Sequence, residues 1–180
     1  MPDVEIRRAV ATDIPILVAI DHACQTDYVW QMDVHHEEGQ VGAIFREIRL
    51  PRAVSVAYPR AVASLPDTWN RRSGGMLAAS ISGEVIGYIR MSDLILPHTA
   101  WLTDIVVSPR FRRQGVGMAL ILAAQSWAVD RKNTRALVEM PSKNNPMVCL
   151  ARKLGYEFCG YNDLYYETQD IALFYGRSIR

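Results

Sequence analysis

The segment Val107-Ser-Pro-Arg-Phe-Arg-Arg-Gln-Gly-Val-Gly-Met-Ala-Leu120 sets three arginines, a glutamine and two glycines between an apolar strand pattern and a long apolar helix pattern. A turn of this kind at the start of a helix presents backbone N–H groups that the helix leaves unpaired, at the end carrying roughly half a positive charge. Glycine lets an anion approach that backbone with no Cβ in the way, and Arg112 and Arg113 add charge at the mouth, so the turn suits a diphosphate. The GxxxxGK[ST] pattern of P-loop enzymes does not occur in the chain. Gly115-Val-Gly117 lacks the third glycine of GxGxxG and stands in no early βαβ unit, which argues against a dinucleotide fold.

A second group of candidates lies earlier. Asp21, Asp27, Tyr28, Trp30, Asp33, Glu37 and Glu38 make an acidic, aromatic stretch that could receive a cationic amine through ion pairs and cation–π contacts. The plainer reading is a solvated loop whose Trp30 packs onto the core. His35-His36-Glu37 is read as surface, and no metal is expected. Cys24, Cys149 and Cys159 show no CxxC or CxxH spacing, so neither a disulfide framework nor a zinc site is signalled and a reducing compartment is expected.

These groups must be positioned by a chain of 180 residues, 49% hydrophobic, the size of one domain, able to bury about 70% of its unfolded surface. We place no boundary within residues 1–180. Twenty basic against nineteen acidic side chains leave a net charge of +1, which argues against a nucleic acid or an anionic membrane as partner. The N-terminus has no apolar run of the signal-peptide kind, and Met118 to Ala124 is too short to span a bilayer, so a cytoplasmic location is expected.

Periodicity and turn residues predict a strand over Val4 to Val10, then a helix from Asp13 to Cys24 capped by Thr12. Gln25 to Gln40 reads as a loop or a mobile helix. Val41 to Leu50 and Ala53 to Tyr58 read as two strands parted by Pro51, followed by a connection through Trp69, Asn70 and Gly75. Met76 to Ile81 and Glu84 to Met91 form a hairpin about Ser82-Gly83. Thr99 to Val107 is a strand, Gly117 to Arg131 a helix with Leu120, Ile121, Ala124 and Trp127 on one face, and Ala136 to Met140 a strand. A helix over Pro146 to Leu154 stops at Gly155, and strands over Tyr156 to Tyr161 and Ile171 to Tyr175 close the chain.

Arg112-Arg-Gln-Gly115-Val-Gly117 matches [RQ]xxG-x-[GA], the acetyl-CoA signature of the GNAT (GCN5-related N-acetyltransferase) superfamily, which the chain resembles over about residues 75 to 176. Leu102 to Val107 resembles that superfamily's fourth strand. Asn144 to Tyr156 resembles its later helix, N-x-x-A-x-x-[LF]-Y-x-K-x-G-[FY]. Within the superfamily, Thr103-Asp104-Ile105, Tyr156 to Tyr161 and Asp170 to Tyr175 are similar to the streptothricin acetyltransferase type.

The resemblance implies an α/β (α+β) fold with a mixed central sheet of about six to seven strands flanked by helices, and acetyl-CoA as co-substrate. It implies direct attack by a primary amine of a small molecule. A protein N-acetyltransferase, or a non-catalytic acetyl-CoA sensor, is the alternative. The backbone of Ile105, Val106 and Val107 would pair with the pantetheine arm. Arg112, Arg113, Gln114, Gly115, Val116, Gly117 and Met118 would hold the pyrophosphate, more through amides than guanidinium groups, and Asn144 and Lys153 match on the cofactor side.

An amine of pKa about 10.4 is neutral about once in 2,500 molecules at pH 7, a handicap of roughly 4.6 kcal/mol, so a proton must be removed. By family position Asp104 is the base, directly or through a water, or the anchor of the ammonium. Residues 25–74 form the variable, acceptor-side region, with Asp27, Tyr28, Trp30 and Asp33 as candidate contacts. Ala151 stands where the superfamily carries a tyrosine that protonates the departing thiolate, which leaves Tyr156, Tyr165, Tyr166 or water to serve. Dimers are frequent among such proteins, so a homodimer is one expected assembly.

Overall fold

The computed structural model describes residues 3–70 and 74–179. In chain order its elements are β1 (Glu5–Arg8), α1 (Ile14–Ala19), β2 (Cys24–Glu37), β3 (Gln40–Val56), α2 (Leu65–Asn70), β4 (Gly75–Ile81) and β5 (Glu84–Leu96). There follow β6 (Thr99–Val107), α3 (Val116–Asp130), β7 (Arg135–Pro141), α4 (Asn145–Lys153), β8 (Glu157–Asn162) and β9 (Ala172–Ser178). Seven strands make one sheet in the order β1-β4-β5-β6-β7-β9-β8, while β2 and β3 pair as a separate two-stranded sheet. Every neighbouring pair in the large sheet is antiparallel except β6 and β7. A parallel pair needs a crossover, and α3 supplies it.

Alternation along the strands serves two apolar layers. Leu77 and Ala79 of β4 enter one buried cluster with Leu120, Ile121, Ala124 and Ala128 of α3 and Val148 and Ala151 of α4. Met76 and Ala78 enter the other, with Ile14 and Leu17 of α1, Leu65 of α2, Tyr88 and Val106. The spacing of Leu120, Ile121, Ala124 and Ala128 is that of one helical face, and all four are fully buried. The β4–β5 hairpin turns where predicted: Ser82 and Gly83 both have positive φ, +50° and +82°, the requirement of a two-residue turn that matches strand twist.

The first third of the chain departs from expectation. The predicted helix to Cys24 ends at Ala19, because the segment from Ile20 to Ala23 is held in place by a contact within it and by Arg112. The Ile20 carbonyl meets His22 Nδ1 at 2.6 Å, and Arg112 takes the carbonyls of Ala23 and Asp21 at 2.6 and 2.7 Å. Gln25 to Gln40, expected as a loop or mobile helix, is mostly the 14-residue strand β2.

The two strands expected about Pro51 are one strand, β3. Pairing passes from Thr26↔Val54 to Tyr28↔Arg49, so residues 50–53 face Asp27 alone. Pro51 lies in that bulge, where a residue without an N–H costs no ladder bond. Trp69 and Asn70, expected in a connection, close α2, while residues 71–73 of that connection lie outside the described residues.

The β2–β3 hairpin is fastened to the body at Trp30. Its backbone N–H donates to Ser142 O and its indole Nε1 to Asn145 Oδ1, both at 2.9 Å, and on the same face Phe45 meets Phe158 and Tyr161. Replacing Trp30 with phenylalanine keeps an aromatic ring and deletes the indole donor to buried Asn145. We expect unfolding free energy to fall by about 1–2 kcal/mol in denaturant titration, the usual cost of unpairing a buried polar group.

Candidate active site

The strands β6 and β7 pair only from Thr99↔Arg135 to Leu102↔Val138, although β6 runs on to Val107 and β7 to Pro141. At the same point the register of β6 with β5 slips, from Arg90↔Asp104 to Met91↔Leu102, so Thr103 is an inserted residue that bends β6 away. The two strands therefore part, and a cleft of about 640 Å³ opens, walled by residues 103–107 on one side and 139–141 on the other. Past Leu102, β6 has no ladder partner on the β7 side among the described residues. Such an edge can pair with an extended chain that carries amides.

At the Val107 end, the turn opens α3 as its sequence predicts. Gly115 is the N-cap in the left-handed region, φ +93°, with no side chain capping the helix. Ala119 N is bonded to Gly115 O at 3.0 Å, so the amides of Val116, Gly117 and Met118 precede that first turn's bond. Arg112, Arg113, Gly115, Gly117 and Met118 line the cleft. A Cβ on Gly117 would lie 3.1 Å from Leu150 Cδ2, so glycine also lets α3 and α4 approach each other beside the cradle.

The arginines divide the work. Arg112 directs its donors to Val107 O (Nε, 2.8 Å), Ala23 O (Nη1, 2.6 Å) and Asp21 O (Nη2, 2.7 Å), riveting the turn to the start of β2. Arg113 is exposed at the mouth. Gln114 donates to Arg110 O at 2.8 Å, and Val116 is buried in the core. Asn144 caps α4 by accepting from Met147 N at 3.2 Å, and both Asn144 and Lys153 line the cleft.

At the other end Asp104 is 4% exposed and surrounded by donors. Its Oδ1 accepts from Tyr58 Oη and from Arg60 Nη1 at 2.9 Å; its Oδ2 accepts from Thr103 Oγ1 at 2.9 Å and faces Arg90 Nε at 2.6 Å. Of a carboxylate's roughly four lone-pair sites three take hydrogen bonds from protein groups, and the remaining side of Oδ2 is ion-paired with Arg90. Across the gap on β7, Glu139 accepts from Arg60 Nη2, from Trp101 Nε1 at 2.8 Å and from Tyr165 Oη at 3.2 Å. Arg60 thus bars the vertex of the cleft, joining the two strands through their carboxylates and lying over the Tyr166 ring at 5.2 Å. Burial works against the Arg60 charge, but Asp104 and Glu139 outweigh it and hold the guanidinium pKa above its ordinary value.

His22 lines the same end. The Ile20 carbonyl fixes the proton on Nδ1, leaving Nε2 to accept from Tyr88 Oη at 3.2 Å, and burial draws the imidazole pKa down, so the ring is neutral at pH 7.

Other sequence candidates are placed elsewhere. Asp27, Tyr28, Trp30 and Asp33 are not among the cleft-lining residues; Trp30 docks on α4 and Asp33 pairs with Arg46 at 3.3 Å. From residues 25–74 the cleft takes Gln25 and the run Val56 to Arg60. Ala151 is fully buried. Tyr156 Oη accepts from Gln125 Nε2 at 2.9 Å away from the cleft, whereas Tyr166 lines the cleft and its hydroxyl has no partner among the described residues. Burial raises the pKa of Tyr156, Tyr165 and Tyr166, with the Glu139 charge adding to the rise at Tyr165 and Tyr166.

Sequence reasoning missed Tyr58, Arg60, Arg90, Glu139 and His22. Glu139 carried a usable signal: a lone carboxylate in the apolar strand Ala-Leu-Val-Glu-Met, as Asp104 is in Trp-Leu-Thr-Asp-Ile-Val-Val. No comparable local signal marked the others.

The model of the acetyltransferase (GNAT) family matches residues 43–156. A streptothricin acetyltransferase of Streptomyces lavendulae is 24% identical over 172 residues, spanning 91% of this chain and 86% of that protein. The solved nourseothricin acetyltransferase superposes with a TM-score of 0.82 at 22% identity, covering 98% of this chain and 99% of that one. A Bacillus anthracis structure in complex with acetyl coenzyme A superposes with a TM-score of 0.75 at 18% identity, covering 98% and 99%. The unpaired strand edge and the glycine-opened helix start suit the arm and diphosphate of that co-substrate. The chain belongs to the acetyltransferase (GNAT) family, and it is an acyltransferase that uses acetyl-CoA.

Proposed function

We propose that the protein transfers the acetyl group of acetyl-CoA to a primary amine of a small molecule by direct attack. The observation that carries this reading is the cleft itself, with an anion cradle at one end, a bare strand edge along its wall and a closed polar cluster at its vertex. The amides of Val116, Gly117 and Met118 and the charge of Arg113 hold the diphosphate. The edge at Ile105 to Val107 pairs with the arm, and Asn144 and Lys153 flank it. From Val107 to Asp104 is three residues, roughly 10 Å of strand, so the edge leads from cradle to vertex. Acetyl-CoA supplies an activated acyl carbon and a thiol leaving group whose pKa, near the cysteine value of about 8.5, makes a dedicated acid at Ala151 dispensable.

For the acceptor, the Val56 to Arg60 run and Tyr166 close the vertex, which favours a small amine over a peptide laid along an open groove. The names of the streptothricin and nourseothricin acetyltransferases support a small-molecule acceptor. Asp104 is the anchor of this end, assigned on its position facing Tyr58 and Arg60.

The test is purified protein with acetyl-CoA and a panel of small amines, amine-bearing antibiotics and peptides, following free thiol. Turnover is expected on a small amine and at background on peptides. Peptide turnover above every small amine would overturn the acceptor class. Acetyl-CoA binding without turnover on any amine would replace the enzyme reading with that of a sensor.

A further inference from the structure

We propose that Tyr58, and not Asp104 itself, is the group that meets the acceptor amine, its hydroxyl pinned by Asp104 so that its oxygen lone pairs receive an amine N–H. This rests on the acetyltransferase reading above and assigns the contact that the reading leaves open.

The other groups at the vertex are already committed. Asp104 accepts three hydrogen bonds on its two oxygens and is ion-paired with Arg90 besides. Glu139 has three, one of them Arg60, whose guanidinium stands between it and Asp104. Arg60 and Arg90 are donors only. The His22 imidazole has its Nδ1 proton on the Ile20 carbonyl and its Nε2 lone pair on Tyr88 Oη. The Tyr166 hydroxyl feels the Glu139 charge, which helps raise its pKa, but it is shut away from solvent.

Tyr58 differs from all of these. It lines the cleft, donates its single proton to Asp104 Oδ1 and lies beside the Tyr88 hydroxyl, whose own proton goes to His22 Nε2, so the Tyr58 oxygen keeps a lone pair able to accept. The ring is held in place by His22, 4.9 Å away between centroids. A hydroxyl that donates to a carboxylate is the stronger acceptor for its next partner, because hydrogen bonds in a chain polarise one another. Burial first and the Asp104 charge second push the Tyr58 pKa up, so the group works as a neutral phenol throughout.

Charge balance at the vertex bears on specificity. Two carboxylates, Asp104 and Glu139, stand against two guanidinium groups, Arg60 and Arg90, so the vertex carries no net negative charge to draw a cation. Selection there is by the placement of an N–H opposite one fixed oxygen. Asp104 is a positioning residue that acts through Tyr58.

The experiment compares wild type, Tyr58→Phe, Asp104→Asn and the double variant, with kinetics on the best amine and calorimetry for acetyl-CoA. Tyr58→Phe keeps the ring against His22 and is expected to lower kcat/KM for the amine by about 10- to 100-fold, with acetyl-CoA affinity within about twofold of wild type. The double variant is expected to be no worse than the poorer single one, because both deletions break one hydrogen-bonded unit. Retained acetyl-CoA binding reports an intact fold in each variant.

Three results would overturn the proposal. One is a Tyr58→Phe enzyme with wild-type kcat/KM for the amine. Another is multiplicative losses in the double variant. The third is a loss confined to acetyl-CoA affinity, which would move Tyr58 to the donor side. A wild-type protein that binds acetyl-CoA and acetylates no amine would instead remove the parent reading, an outcome visible before any variant is made.

Discussion

Replacement of Gly115 by valine is expected to lower acetyl-CoA affinity by about 100-fold or more, because it strikes the backbone that makes the cradle. Gly115 caps α3 at φ +93°, a region a β-branched residue enters only at a cost of roughly 1–3 kcal/mol. The chain relieves that strain by turning the peptide planes on either side of the cap, and the amides of Val116, Gly117 and Met118 then cease to converge. Hydrogen bonds from such amides to a charged oxygen contribute about 1.5–3 kcal/mol each, so the loss of one or two accounts for the expected drop. Calorimetry with acetyl-CoA measures it, and a thermal melt separates the effect from unfolding. A folded valine variant that binds with wild-type affinity would place the diphosphate elsewhere.

Arg60→Met is expected to be among the most destabilising single changes in the chain, at about 3–5 kcal/mol in denaturant titration. The guanidinium joins Asp104 and Glu139, whose side chains are each 1% exposed. Without it, Asp104 retains Arg90, but Glu139 is left with the neutral donors Trp101 and Tyr165. Breaking a buried ion pair from one side costs this much because an uncompensated charge stays in a low-dielectric site, whatever the intact pair contributed. The Thr103 carbonyl also loses its bond to Nη1, at 3.1 Å, so the bend in β6 slackens and amine turnover falls with stability. A variant within about 1 kcal/mol of wild type would show that solvent reaches the vertex and screens both carboxylates.

The two effects lie at opposite ends of the cleft, and the ends differ in how legible they were. The donor end is written in contiguous sequence. Strand, proline, arginine-rich turn and glycine cap succeed one another within residues 105–118, and each feature acts on its immediate neighbours through sterics and hydrogen bonding. The α4 helix was readable for the same reason, within a residue of its observed start and end. Even here tertiary contacts reassigned a side chain, since the fork of Arg112 holds carbonyls of the chain 89 and 91 residues away rather than facing the cleft with free donors.

The β2–β3 hairpin shows the opposite case. Tyr28, Trp30 and Met32 alternate with Val29, Gln31 and Asp33, yet the acids and the His35-His36 pair made the stretch look solvated. It is a strand because β3 pairs with it along nearly its whole length and because Trp30 reaches Ser142 and Asn145, residues over a hundred positions away. Aromatic and acidic composition therefore pointed to an acceptor site where the fold makes a docking arm.

By itself the sequence determined the order of most strands, the two helices of the second half and the glycine-capped turn that opens the first of them, and it put Asp104 forward as a candidate. Only the tertiary structure decided which groups surround Asp104. Tyr58 and Arg60 come from one segment, Arg90 from β5 and Glu139, joined through Arg60, from β7, and no periodicity links residues 46 or 79 positions apart. What assembles them is energetic: two carboxylates buried where β6 and β7 part must be matched by cations and hydroxyl donors, and that matching exists only once the sheet has formed.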